Sequence, residues 1–325
     1  MLNIDRILFP TDFSESSRQA LPYAVALAES HGAELHLLHA NVLHASDPAN
    51  PSHHFPEMES LTTELEDRAD ARMEEIVEKH APEPLTVVRE QRRGISAPPV
   101  VLEYVDEADI DVVVMGTHGR RGLRHLMLGS VTEEVVRRAP CPVLTAREQD
   151  EPAAVAGFGT ILAPVDFSEH SELALQHAVG LAREFDADLQ LLHVIEEITY
   201  PDFYYPAPLT GEQMAAEIKE RVTERLEKAL DRIEEAGIRA TVHVVEDRPA
   251  PGIADFADEH GADLVVVGTH GLTGVKRALL GSVAEGVIRR SVPPVLTVKT
   301  GGRSLVVDEL DLGLTRREEG SGQEA

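Results

Sequence analysis

This chain has no tryptophan, a single cysteine, and only 4% aromatic residues among its 325. It is also short of positive charge: 30 Lys and Arg stand against 57 Asp and Glu, a formal charge of −27. Each shortage excludes something. One thiol, Cys141, can neither close an internal disulfide nor build a thiolate metal site. So acidic a chain is a poor match for general nucleic-acid binding or for an anionic membrane surface, since both call for a basic face. No apolar run approaches the roughly 18 residues of a transmembrane helix. Met1 to Asp5 show no basic region followed by an apolar stretch, so no signal peptide is expected. The reading is a soluble, cytoplasmic protein without nucleic-acid or membrane partners.

Lysine is the rare cation. It occurs five times, at positions 79, 219, 228, 276 and 299, and the other 25 basic residues are arginine. Acid excess, few lysines and few aromatics together point to a halophilic protein. At 1 M salt the Debye length falls to about 3 Å, which removes most of the self-repulsion of such a chain. An acidic mesophilic protein is the alternative.

What the sequence does have is a repeat. Ile7-Leu8-Phe9-Pro10-Thr11-Asp12-Phe13-Ser14-Glu15 recurs as Ile161-Leu162-Ala163-Pro164-Val165-Asp166-Phe167-Ser168-Glu169, at an offset of 154. Leu37-Leu38-His39 recurs at the same offset as Leu191-Leu192-His193, and Gly116-Thr117-His118-Gly119 recurs at 152 as Gly268-Thr269-His270-Gly271. Over residues 116–145, 17 of 30 positions are identical to their partners at +152. At about 150 residues per domain, the length also suggests two. The expected organisation is domain 1 over 1–146, a charged linker over 147–156, domain 2 over 157–299, and a largely disordered tail over 300–325.

Within each copy, strand and helix patterns alternate. Strands are expected over 4–9, 34–40, 85–89, 111–115 and 142–145, with helices from Ser14 and over 57–79, 98–107 and 131–138. The second copy gives strands over 160–163, 188–195, 239–245, 263–267 and 295–298, and helices over 169–185, 212–236, 252–259 and 283–290. Val112 to Met115 is wholly apolar, as expected of a strand buried on both faces. The fold class is α/β with a mostly parallel sheet.

The chemistry lies in a split glycine loop. Each fourth strand runs into G-x2-G-x9-G-S: Gly116, Gly119, Gly129 and Ser130 in one copy, Gly268, Gly271, Gly281 and Ser282 in the other. Glycine lets backbone approach a bulky anion. The last Gly-Ser opens a helix, whose free N–H groups and dipole favour phosphate, and the serine can cap the helix or meet a phosphate oxygen. The pattern is neither GxxxxGK[ST] nor GxGxxG. Turn-making alone is the competing explanation, and its weight falls because both copies also carry an acid after strand one. That acid, Asp12 or Asp166, faces the same carboxyl edge and suits ribose or adenine hydroxyls and amines better than phosphate. Helix capping is its competing role.

These features resemble the universal stress protein family: Pro-x-Asp-x-Ser after strand one, Leu-Leu-His in strand two, Gly-Thr-His-Gly, Gly-Ser-Val and a final Pro-Val-Leu. The resemblance covers both copies. It implies two tandem five-stranded parallel sheets of order 3-2-1-4-5 with helices on both faces, and ATP, with or without Mg2+, as ligand. By matching positions it places Asp12 and Asp166 on ribose and adenine, and Ala40 and Val194 on adenine. On the phosphates it places Gly116, Thr117, Gly119, Gly129, Ser130 and Val131, then Gly268, Thr269, Gly271, Gly281, Ser282 and Val283. Ala40 departs from the more usual Val. The family also pairs domains through their last strands, which implies an internal pseudo-dimer joining 143–145 to 295–297 and leaves a homodimer of chains open.

Copy one carries Arg120, Arg121 and Arg124 where copy two has Leu272, Thr273 and Lys276. The expectation is tighter nucleotide binding in copy one, unless those arginines face water. His36 and His39 should fall on opposite faces of a strand and not converge on a metal. His118 and His270 are candidates for phosphate contact, and Cys141 for a small buried residue. No catalytic constellation appears. The function implied is an ATP-binding stress-response regulator with an unidentified protein partner; a slow ATP hydrolase and a nucleotide-free interaction module are the alternatives.

Overall fold

The computed structural model describes residues 1–42, 58–81, 84–117, 128–149, 155, 157–196, 211–271 and 280–314. In the first half, β1 (Arg6–Pro10), α1 (Glu15–His31), β2 (Glu34–Val42), α2 (Met58–His80), β3 (Val87–Gly94), α3 (Ala97–Glu107), β4 (Val112–Gly116), α4 (Ser130–Arg138) and β5 (Val143–Ala146) alternate as expected. The second half repeats them as β6 (Thr160–Pro164), α5 (Glu169–Phe185), β7 (Asp188–Ile195), α6 (Gly211–Glu235), β8 (Ala240–Glu246), α7 (Pro249–Glu259), β9 (Leu264–Gly268), α8 (Ser282–Arg290) and β10 (Val295–Val298). The described helices include none long and apolar enough to cross a membrane.

The strands form one ten-stranded sheet in the order β3-β2-β1-β4-β5-β10-β9-β6-β7-β8. Each half is parallel within itself, in the order 3-2-1-4-5. The halves meet where β5 and β10 pair antiparallel, Leu144 opposite Leu296. The side chain of Thr297 donates across this seam to the Val143 carbonyl at 3.0 Å. Because the seam is antiparallel, the carboxyl edges of the two halves, and with them Gly116 and Gly268, lie at opposite edges of the sheet.

One core lies between the sheet and α1, α2, α5 and α6, the other between the sheet and α3, α4, α7 and α8. Each core spans both halves. α1 starts at Ser14, whose hydroxyl accepts from Ser17 N–H, and ends at Gly32 in the left-handed region, φ 63°. α5 starts the same way at Ser168, and Asp186 takes the left-handed position at its end. The amino end of each half is clasped by an aspartate beginning its fourth strand: Asp111 accepts from Asp5 and Arg6 N–H, and Asp263 from Gly159 and Thr160 N–H, at 2.8–2.9 Å.

Two expectations need correction. The third strand runs over Val87–Gly94, not 85–89. The tail is ordered over its first fifteen residues: 300–314 run back over both halves, while 315–325 lie outside the described residues. Arg303 donates to the Val105 and Ile110 carbonyls of the first half at 3.0 and 2.8 Å. Leu2 and Val306 then form an antiparallel bridge, and Leu305, Leu312 and Leu314 are buried against α5 and α6 residues of the second half. Gln176 holds Leu310 from both sides, accepting its N–H and donating to its carbonyl.

His177 fixes the tail's course. Its Nδ1 lies 2.8 Å from the Leu173 carbonyl, so that nitrogen donates, and Nε2 accepts from Leu305 N–H at 3.2 Å. Only the neutral ring can do both. Burial holds its pKa below the ordinary value of 6.5. The unfolded chain therefore binds more protons here than the folded one. The stabilisation is full above the ordinary histidine pKa and is lost as pH falls below it, by up to about 1.4 kcal/mol per pH unit for one proton. Urea denaturation between pH 7.5 and 5 should show this fall, and His177→Gln should make it shallower, since His36, His170, His193 and His243 shift in the same direction; an unchanged slope in that variant would remove His177 as a contributor.

Candidate functional site

The site is built at the carboxyl ends of β1 and β4, and again at β6 and β9. The chain leaves β1 through Thr11 and Asp12, and Phe13 then adopts φ 62°; Phe167 does the same at 65°. A positive φ in a bulky aromatic is unfavourable and persists only where the surroundings impose it. Here they do so twice over. His39 Nδ1 donates to the Thr11 carbonyl at 2.7 Å and its ring packs on Phe13, centroids 4.5 Å apart. His193 donates to the Val165 carbonyl at 2.6 Å and packs on Phe167 at 5.0 Å. A guanidinium lies over each phenyl ring, Arg72 over Phe13 and Arg225 over Phe167, 5.4 and 4.1 Å from the ring centres. The Leu-Leu-His motif thus sets the turn that presents the aspartate, a role the sequence reading left open. Burial keeps the His193 pKa below the ordinary value, in keeping with a neutral ring.

Asp12 Oδ1 accepts from Ser14 N–H at 3.0 Å, and Asp166 Oδ1 from Ser168 N–H at 3.0 Å and its hydroxyl at 2.6 Å. Capping of the helix itself falls to Ser14 and Ser168. In the second half the other carboxylate oxygen, Asp166 Oδ2, lies beside the glycine loop: a Cβ on Gly271 would come within 2.6 Å of it. Acid and loop, 105 residues apart, therefore meet at one point.

Thr117 and Thr269 close the loops. Each is buried and takes a backbone bond from the neighbouring last strand: Thr117 N–H to Ala146 O and Thr269 N–H to Val298 O, both at 2.9 Å. Each then accepts from the glycine on which the loop returns, Gly129 N–H to Thr117 O and Gly281 N–H to Thr269 O, both at 2.8 Å. The remaining glycines allow close approach: a Cβ on Gly116 would stand 2.6 Å from the Ser16 carbonyl oxygen, and one on Gly268 2.8 Å from that of His170.

α4 and α8 start at Gly129 and Gly281 with no side-chain cap. Ser130 and Ser282, expected as possible caps, instead occupy the first helical position and are exposed. The N–H groups of that first turn have no partner within the helix. Val131 is half-buried and Val283 is 39% exposed. Ala40 and Val194 sit half-buried near the carboxyl ends of β2 and β7, against the α3/α4 and α7/α8 core. His118, Gly119, Arg120, Arg121 and Arg124 lie outside the described residues, as do Leu272, Thr273 and Lys276. His36 meets the Tyr104 hydroxyl on the face away from His39. Cys141 is buried, which pushes its thiol up to about 12. Among the described residues no group of three or more His, Cys, Asp or Glu could hold a metal ion.

The model of the universal stress protein family matches residues 3–147 and 157–299. Among curated relatives, universal stress protein MJ0531 of Methanocaldococcus jannaschii is 40% identical over 142 residues, covering 44% of this chain and 82% of its own. Among solved structures, a universal stress protein of Archaeoglobus fulgidus superposes with a TM-score of 0.59 at 24% identity, over 91% of this chain and 98% of its own. A putative universal stress protein of Pseudomonas aeruginosa superposes with a TM-score of 0.61 at 20% identity, over 91% and 93%. At such identities these two structures speak to the fold alone.

Proposed function

Since the chain belongs to the universal stress protein family along both of its halves, we propose that it is an ATP-binding regulator of the stress response, with the nucleotide as its switch. The observation that carries this is the meeting of Asp166 with Gly271 at the mouth of the second loop. A carboxylate oxygen is held against a backbone stripped of its side chain, beside a helix start with open N–H groups. That combination suits a ligand with hydroxyls or amines at one end and phosphates at the other. Asp12, Ala40, Gly116, Thr117, Gly119, Gly129, Ser130 and Val131 would hold ATP in the first half. Asp166, Val194, Gly268, Thr269, Gly271, Gly281, Ser282 and Val283 would do so in the second. Mg2+ would accompany the phosphates. Thr117 and Thr269 act by anchoring the loop's two ends rather than through their buried side chains. In this reading the protein is cytoplasmic and adapted to high salt, as its acid excess suggests, and presents its loaded state to a protein partner.

Mass spectrometry of nucleotide released from the chain purified in molar salt tests the reading. ATP at one or two per chain is expected. AMP or ADP alone would favour a hydrolase, and no nucleotide together with no binding of added MgATP would reduce the loops to structural turns.

A further inference from the structure

Beyond the loop residues themselves, the two halves differ in the first turn of α5. His170 lies in the first turn of α5, its carbonyl against Gly268. Its ring packs on that of His270, centroids 5.3 Å apart, and its Nδ1 lies 2.8 Å from Thr300 Oγ1. His270 Nδ1 meets Thr269 Oγ1 at 3.1 Å. His270 Nε2 is out of solvent with no hydrogen-bond partner among the described residues. The pair stands at the foot of α8: a Cβ on Gly281 would be 3.4 Å from the His270 Cα. In the first half Ser16 takes the place of His170, and Glu148 that of Thr300.

A buried ring nitrogen without a partner is costly and calls for one. Two touching imidazoles cannot both be charged at low cost. Burial and the neighbouring ring both hold His170 below the ordinary histidine pKa, while Asp166 and Glu169 pull the other way. Lys299, next to Thr300, is spent on the Arg137 and Ala139 carbonyls. A phosphate at the foot of α8 would supply the missing partner and stabilise one imidazolium.

We propose that the His170–His270 pair is a phosphate-recognising element peculiar to the second half, and that a nucleotide binding there takes up one proton from solvent. This rests on the nucleotide reading above. The sign follows: if the bound form holds one more proton, affinity rises as pH falls, by up to about tenfold per pH unit. The first half has serine in place of His170 and so lacks the pair; the second half selects phosphate-bearing ligands more sharply as pH drops from 8 to 6.

Titration calorimetry of the full chain with ATP and with adenosine, at pH 6, 7 and 8 in two buffers of very different ionisation enthalpy, counts the protons. The wild type should take up close to one more proton per chain than His170→Ser at the lower pH. ATP's own titration is common to both and cancels, and adenosine should show no difference. Thr300→Val, which removes only the hydroxyl on Nδ1, gives a second measure should His170→Ser fold poorly, and should shift the pH at which the proton is taken up. Equal uptake in wild type and in folded variants, or uptake with adenosine, overturns the proposal. Failure of ATP to bind at any pH overturns the nucleotide reading itself, and this with it.

Discussion

Gly271→Val is expected to weaken nucleotide binding in the second half by roughly 30- to 150-fold while leaving the chain folded. The Gly271 backbone lies outside the left-handed region, so a side chain is not strained there by φ. What it meets is Asp166 Oδ2, 2.6 Å from the new Cβ. A carboxylate can rotate away, which spares the fold. It then no longer presents its oxygen to the ligand. Loss of a hydrogen bond to a charged group is worth about 1.5–3 kcal/mol, and the blocked approach adds to it. The contrast is Gly116→Val, where the new Cβ meets the Ser16 carbonyl oxygen at 2.6 Å. Backbone inside a helix cannot swing aside, so that change should destabilise the first half rather than empty it. Calorimetric titration beside a thermal melt separates the two. Wild-type affinity in a folded Gly271→Val chain would take Asp166 out of the site.

The second large effect is expected at the seam. Leu144→Asp should cost more than about 4 kcal/mol of stability. Leu144 and Leu296 are opposite each other and almost wholly buried, 1% and 2% exposed. Both belong to the core shared by the halves. A carboxylate placed there would lie within the buried apolar cluster and would either remain protonated or open the seam. Thr297→Val at the adjacent position is the mild control: it keeps the shape and removes one hydrogen bond, worth about 1 kcal/mol. Urea unfolding read by circular dichroism should rank the variants in that order. A Leu144→Asp chain as stable as wild type would mean that the halves hold together without this pairing.

Most of the architecture was legible because each half announces itself twice. Strands buried on both faces, such as Val112 to Gly116, carry an uninterrupted apolar run, and the repeat fixes the alternation. β3 was misplaced for a physical reason. It is an outer strand, and Arg89, Glu90, Gln91, Arg92 and Arg93 leave no apolar pattern; only its pairing along the whole of β2 defines it. The tail was hidden for a similar reason. Leu305, Leu312 and Leu314 follow no helical or strand period, and the surface that buries them comes from elements more than 70 residues earlier. At the site, the aspartates and glycines stood out by motif. The meeting of Asp166 with Gly271 needed the fold. So did the pairing of His170 with His270, although laying Ser16 against His170 across the repeat would have marked that position as unlike its twin.

The pairing of β5 with β10 inside one chain has a further consequence. Two separate polypeptides joined along such an edge can exchange subunits, so their pairing varies with abundance and with whatever related chains are present. Here each half meets the other at a fixed effective concentration, set by the short connection and typically in the millimolar range. The edge is consumed within the molecule. Dilution does not dissociate it, and a competing polypeptide has to match that effective concentration to displace either half along the strand. The two halves, unlike where Ser16 faces His170 across the repeat, are thus produced and retained in a one-to-one ratio. The strand edges left at the ends of the sheet are β3 and β8, and charged side chains on β3 discourage its use as a template for further growth.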